Sequence, residues 1–300
     1  MVSQNIIVVF YLFSQVVFVL GQQDYRSLFT STLTCKMGRL QSPIDLSDTT
    51  SKYNSTINPL YYNYQPLSNA VVNWNSEGRV LELKPESSTG NYGYLGLSRG
   101  GALKQYALVG VQISFPGEHS IEGVISQAEV KLIHDKVIPF ATTVDQYRSI
   151  PDSNTHLVIS ILYSPSANNT DNGFMDQILS TYNTQANTFN YGTSQNINLL
   201  SYRLFQDRQF YFYEGSFTSA PCDENVNYIV VKDNFYLSPT AKNILTQAYS
   251  KYTGSIASKS RTDLFGRSVY RNYINQGESL SSNYLNWNVL ASLLLLSILI

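Results

Sequence analysis

Cysteine and histidine are both scarce in this 300-residue chain: Cys35 and Cys222, then His119, His134 and His156, are all there are. Two cysteines exclude a zinc ribbon or finger built on cysteine. Charge is scarce too. Charged residues make up 14% of the chain, and 20 basic against 21 acidic side chains leave a net charge of −1. That excludes broad electrostatic attraction to nucleic acid or to an anionic membrane, so no nucleic-acid partner is expected. Proline (10) and glycine (17) are too few for a low-complexity chain. No Ser/Gly-rich linker, internal repeat or charge block divides residues 22–280. What is abundant is aromatic surface, 13% of residues with 23 Tyr, which excludes a highly charged disordered chain. The length leaves ample chain for a sizeable core.

The long apolar runs are confined to the ends. Ile6–Leu20 is nearly unbroken. It is short for a membrane span and suits a secretory h-region, with Val19 and Gly21 as the small residues of a cleavage site. Residues 1–21 are therefore expected to be a signal peptide; an uncleaved anchor is the competing reading. The second run, Val289–Ile300, would span about 18 Å as a helix, well short of a hydrocarbon core of about 30 Å. Small and polar residues precede it and no basic cluster follows. This is the pattern of a lipid-attachment (GPI) signal over residues 281–300, against a short membrane segment or a terminal helix docked on the core. The expected location is the outer face of the plasma membrane, an oxidising compartment in which two cysteines should pair. Asn54-Ser-Thr and Asn168-Asn-Thr are glycosylation sequons suited to that location.

Between the ends, short β-like runs recur: Val80–Leu83, Leu108–Phe115, Ser126–His134, His156–Tyr163, Phe210–Phe212 and Tyr228–Val231. Turn residues such as Asn75-Ser-Glu-Gly78 and Arg99-Gly-Gly101 separate them. Helical candidates are Asp176–Tyr182 and Pro239–Tyr252, the latter with Ser238 as N-cap and Pro239 at the first helical position. The expectation is a single, mainly β domain over 22–280. The Tyr and Asn content fits a sugar-binding surface, but biased composition and ordinary strand preference explain it more simply.

Three segments, in order, carry a recognisable pattern: Gln41-Ser-Pro-Ile-Asp-Leu46, Gly117-Glu-His-Ser-Ile-Glu-Gly123 followed by Ala128-Glu-Val-Lys-Leu-Ile-His134, and Tyr213-Glu-Gly-Ser-Phe-Thr-Ser-Ala-Pro-Cys-Asp-Glu224. They resemble the signatures of α-class carbonic anhydrases, over roughly residues 35–275. The resemblance implies a large, twisted, mostly antiparallel sheet with a few short surface helices. It also implies a Cys35–Cys222 disulfide, as in secreted members. In the family, three His hold zinc, two of them as His-x-His on one strand and the third on its neighbour. Neutral imidazoles leave the metal acidic enough to bring bound water to a pKa of about 7.

Carried over position by position, the resemblance finds no ligand. Counting back from Glu118-His119, the His-x-His positions fall on Gln112 and Ser114, and the third falls on Lys131. Gln and Ser are poor zinc ligands, and an ammonium repels a cation. His134 is three residues from Lys131 and so faces the other side of the strand. The shuttle position, loosely aligned, falls near Glu77 rather than a His. Some of the framework remains. Thr218 matches the Thr that accepts a hydrogen bond from zinc hydroxide, Glu118 its carboxylate partner, and Glu129 the carboxylate that orients the third His. These remnants read either as a repurposed polar pocket or as buried polar groups retained for their partners. Lys131 is expected near the metal position, paired with Glu129 first and Glu118 second, with Gln112 and Ser114 supplying further bonds.

Two functions compete. One is a membrane-anchored ectodomain without catalysis, needing no cofactor and binding an extracellular protein or glycan. The other is an active zinc lyase hydrating carbon dioxide through a displaced metal. A structural coat protein is not separable from the first by sequence.

Overall fold

Alternation along the central strands decides the architecture. In Ala128–Lys136, Val130 and Leu132 point one way and Glu129 and Lys131 the other, as the two-residue period of a strand requires. The computed structural model describes residues 35–57, 60–75, 80–85, 92–99, 102–137, 155–166, 174–180, 182–183, 188–189, 195–197, 208–253 and 259–275. The expected signal peptide, the C-terminal anchor signal, Asn168 and Glu77 lie outside the described residues, and among the described residues no helix is long and apolar enough to cross a membrane.

The strands, in chain order, are β1 (Asp45–Leu46), β2 (Lys52–Tyr53), β3 (Leu60–Tyr64), β4 (Leu67–Asn75), β5 (Val80–Pro85), β6 (Gly93–Arg99), β7 (Ala102–Ser114), β8 (Ser120–Ile121), β9 (Val124–Ile125), β10 (Ala128–Lys136), β11 (His156–Pro165), β12 (Tyr182–Asn183), β13 (Thr188–Phe189), β14 (Gln195–Ile197), β15 (Phe210–Gly215), β16 (Val226–Leu237) and β17 (Tyr270–Arg271). Two helices, α1 (Phe174–Leu179) and α2 (Pro239–Thr253), accompany them. Twelve strands form one sheet in the order β14-β4-β5-β7-β10-β11-β16-β15-β17-β2, with β6 on β7 and β3 on β6. The β11–β16 and β17–β2 pairs are parallel and the rest antiparallel, as the resemblance implies.

Each face of the sheet carries its own core. One face presents Val111, Ile113, Val130, Leu132, Ile159, Ile161, Ile229 and Val231 to α2, which contributes Ala241, Leu245 and Tyr249. The other presents Val158, Leu162, Tyr211, Tyr213, Tyr228 and Val230 to the incoming N-terminal segment through Ile44 and Leu46. Because β11 is covered on both faces, it reads as a nearly continuous apolar run instead of an alternating one.

α2 starts where its caps dictate: Ser238 Oγ accepts the Ala241 N–H at 3.0 Å, a contact contributing about 1 kcal/mol, and Pro239 follows. α1 begins at Phe174, two residues before the expected start, and stops at Leu179 because Tyr182 belongs to β12. β3, β4 and β6 were not legible from pattern. Their sequences, LYYNY, LSNAVVNWN and GYLGLSR, carry Asn, Ser and Gly that argue for turns. Pairing with β5, β6 and β7 makes them strands.

A disulfide joins Cys35 to Cys222 across 187 positions of sequence. Beside it the Gln41-Ser-Pro-Ile segment crosses the end of β15. Ser42 Oγ accepts from Ser216 N at 3.1 Å, while Ser42 N donates to Ser216 Oγ at 3.0 Å. Gly215 permits this approach, since a Cβ there would lie 2.2 Å from Ser42 Oγ. Two of the three recognisable segments are thus halves of one junction.

Candidate functional site

The site lies on the face of β7 and β10 turned away from α2. Register places Gln112 opposite Lys131 and Ser114 opposite Glu129, so all four side chains share that face. The loop Phe115–His119 then folds over the sheet and brings Glu118 and His119 onto it. Gly117 lets this loop pack closely, because a Cβ there would sit 1.8 Å from Ser126 Oγ.

Lys131 is almost wholly buried. Its ammonium donates to Glu118 Oε2 at 2.6 Å and to Thr218 Oγ1 at 2.8 Å. The partner expected first, Glu129, is not the one bonded. Spacing does not forbid that bond, since Glu82 and Lys84 pair at i and i+2 on β5. Glu129 is instead fully engaged elsewhere. Its Oε2 accepts the backbone N–H groups of Glu118 (2.8 Å) and His119 (2.9 Å), and its Oε1 accepts His119 Nδ1 (2.7 Å) and Ser160 Oγ (2.8 Å). Burial alone would raise the Glu129 pKa. The His119 imidazole, by charge and hydrogen bond, together with Lys131 and the His119 backbone N–H, holds it well below the usual carboxylate range.

Nor do Gln112 and Ser114 serve Lys131. Gln112 Nε2 donates to Glu82 Oε1 at 2.7 Å, straight across the β5–β7 register, and Lys84 pairs with Glu82 at 2.9 Å. Ser114 Oγ is buried with no hydrogen-bond partner among the described residues. Thr218 takes the role assigned to them because the Tyr213–Glu224 segment returns over the cleft, and sequence separation hides that proximity.

The three histidines are all spoken for. His119 sits between Glu129 and Tyr213, with Nε2 2.6 Å from the Tyr213 hydroxyl. Tyr213 in turn donates to Ser42 Oγ at 2.9 Å and stacks on Tyr228 at 5.0 Å. Burial pushes the Tyr213 and Tyr228 phenols well up, so both stay neutral donors. His134 lies on the α2 face, bonded to the Tyr64 hydroxyl (2.7 Å) and to Leu157 O (3.0 Å). His156 is half-exposed and pairs with Asp135 at 2.8 Å.

Sequence reasoning missed Lys259. Thr262 pins its segment to the Gln41–Pro43 strip, donating Oγ1 to Gln41 O at 2.7 Å and N to Pro43 O at 2.9 Å. The Lys259 ammonium reaches Gln41 Oε1 at 3.3 Å and Cys222 Sγ at 3.5 Å. Burial lowers its pKa, Glu118 opposes that, and the like charge of Lys131 adds to it. No motif marks this lysine, which lies between two serines.

Comparison with known proteins fits this geometry. The family description of eukaryotic-type carbonic anhydrases matches residues 23–273. The chain belongs to that family. Dioscorin dioA3 of Dioscorea japonica is 27% identical over 232 residues, covering 77% of this chain and 75% of the dioscorin. Among solved structures, dioscorin complexed with ascorbate superposes with a TM-score of 0.65 at 22% identity, over 82% of this chain and 91% of the other. An α-carbonic anhydrase from Thermovibrio ammonificans gives 0.60 at 21% identity, over 80% and 90%.

Zinc, which the family implies, does not fit these residues. An ammonium occupies the face where a third imidazole would be needed, and the strand opposite offers an amide and a hydroxyl. Among the described residues no three His, Cys, Asp or Glu side chains converge as a metal site. The chemistry available is hydrogen bonding and charge: an ammonium, a carboxylate and a hydroxyl locked together, with a second ammonium nearby.

Proposed function

We propose that this carbonic-anhydrase-family domain is a binding ectodomain without hydratase activity, displayed outside the cell on a C-terminal lipid anchor. The observation that carries the reading is the Lys131–Glu118–Thr218 contact. In it the carboxylate and hydroxyl that would manage a zinc hydroxide are instead occupied by a cation that cannot ionise water. The disulfide supports an oxidising location. Asn54, half-exposed beside β2, supports glycosylation there: its Oδ1 accepts the N–H and the hydroxyl of Thr56 in its own sequon. The ligand is an extracellular protein or glycan in this reading, or a small acid such as the ascorbate bound by dioscorin.

Stopped-flow hydration of carbon dioxide by the mature, glycosylated protein tests the proposal. The expected rate is that of buffer, with and without added zinc salt. A rate above background that a sulfonamide abolishes would return the domain to the enzymes.

A further inference from the structure

We propose that a cavity at the start of β15, lined by Asp48, Gln209, Lys232, Tyr273, Ile274 and Asn275, binds a neutral sugar through two adjacent hydroxyls. The inference goes beyond the reading of the Lys131 cleft: the cavity shares no residue with that cleft and stands or falls separately.

The cavity measures about 360 Å³, within the range of small-molecule sites. Its polar groups are held in place before any ligand arrives. Asp48, from the chain between β1 and β2, accepts the hydroxyls of Tyr211 (2.5 Å) and Tyr273 on Oδ1. Its Oδ2 accepts the Lys232 ammonium at 2.7 Å. That ammonium also lies over the Tyr273 ring, 4.4 Å from its centroid. The Lys232 N–H donates to Gln209 O at 2.9 Å, which sets Gln209 beside it at the end of β16. Groups fixed in this way lose little freedom on binding.

The hydrogen-bonding capacity left over selects the ligand. Among the described residues the Lys232 ammonium spends one of its three N–H groups, on Asp48. Asp48 Oδ2 has taken one bond and can accept another. The Gln209 amide makes no bond, and Asn275 makes only a long one, from Nδ2 to Asp48 O at 3.5 Å. An ammonium only donates and a carboxylate only accepts, whereas a hydroxyl does both. Two neighbouring sugar hydroxyls therefore match the pair, one donating to Asp48 Oδ2 and the other accepting from Lys232, with the two amides completing their bonds. Charge does not call for an ion, because Asp48 and Lys232 are the charged lining residues and they pair with each other. Ile274, 41% exposed, gives the C–H face of a sugar ring an apolar surface to cover.

Methyl glycosides of glucose, galactose and mannose, each offered alone to the full secreted chain freed of its anchor, are followed by saturation-transfer NMR. Saturable binding of at least one is expected, with no binding of cyclohexanol, which keeps an apolar ring but lacks the adjacent hydroxyls. Lys232→Gln should weaken binding by about an order of magnitude, the loss of a charge-assisted bond. Because that change also loosens Asp48, the double variant Gln209→Ala, Asn275→Ala is measured beside it. Both of its side chains lie outside the buried core, so its melting temperature should be unchanged while its sugar binding falls by a similar factor. The proposal is overturned if none of the three glycosides binds, if cyclohexanol binds as tightly, or if the double variant binds like the parent.

Discussion

Replacing Lys131 by Met should destabilise the domain by about 3–5 kcal/mol, among the largest effects of any single change here. The length and volume of the side chain are kept, so packing loss is small. The loss comes from Glu118, whose side chain is only 5% exposed and would be left buried without the cation bonded to it. Glu118→Gln should cost a similar amount for the mirror reason, an ammonium left with a neutral acceptor. The double variant Lys131→Met, Glu118→Leu should recover most of the loss, because exchanging a buried ion pair for apolar groups is often neutral. Urea denaturation midpoints of the four proteins decide it. If Lys131→Met were nearly neutral, the pair would be a surface-like contact and the site would not be organised around it.

A loss of about 3 kcal/mol on acidification should trace to His134. Burial lowers its pKa from 6.5 to about 4, against the opposing hydrogen bonds of its backbone neighbours and the charge of Asp135. The folded state therefore holds the imidazole neutral where the unfolded chain protonates it. The unfolded state binds more protons, so stability is complete above pH 6.5, falls as pH drops toward about 4, and loses nothing more from this group below that. His134→Gln should flatten the curve in that window. Asp48 acts lower: burial would raise its pKa, but hydrogen bonds from Lys232, Tyr211 and Tyr273 prevail and bring it from 3.8 to about 2. Its contribution is lost only between those values, and partial exposure screens it. Denaturation midpoints of parent and His134→Gln between pH 4 and 7 check the assignment. A parallel pair of curves would exclude His134.

Local order made part of this legible in the sequence. The two-residue period alone places Gln112, Ser114, Glu129 and Lys131 on one face and His134 on the other, as register confirms. Compartment, count and family resemblance together pointed to Cys35 with Cys222. What the period does not contain is the way loops close over a strand. Glu118 and Glu129 were both available to Lys131, and the choice between them turns on the backbone N–H groups of Glu118 and His119, which claim Glu129 once the Gly117 loop folds down. Thr218 and Lys259 arrive at the cleft from 87 and 128 residues beyond Lys131, separations over which one sequence carries no pairing information. The Tyr213–His119–Glu129 relay was hidden for the same reason, although each member lies in a recognisable segment.

Zinc content tests the central claim most directly: that a lysine ammonium, paired with Glu118 and Thr218, stands in place of a metal centre. The mature protein, purified from its secretory host without chelator or affinity metal, is analysed for metal by mass spectrometry against protein concentration. Zinc far below one equivalent is expected, with no change in melting temperature when a chelator is added. One tightly held equivalent of zinc, whose removal lowers stability, would contradict it.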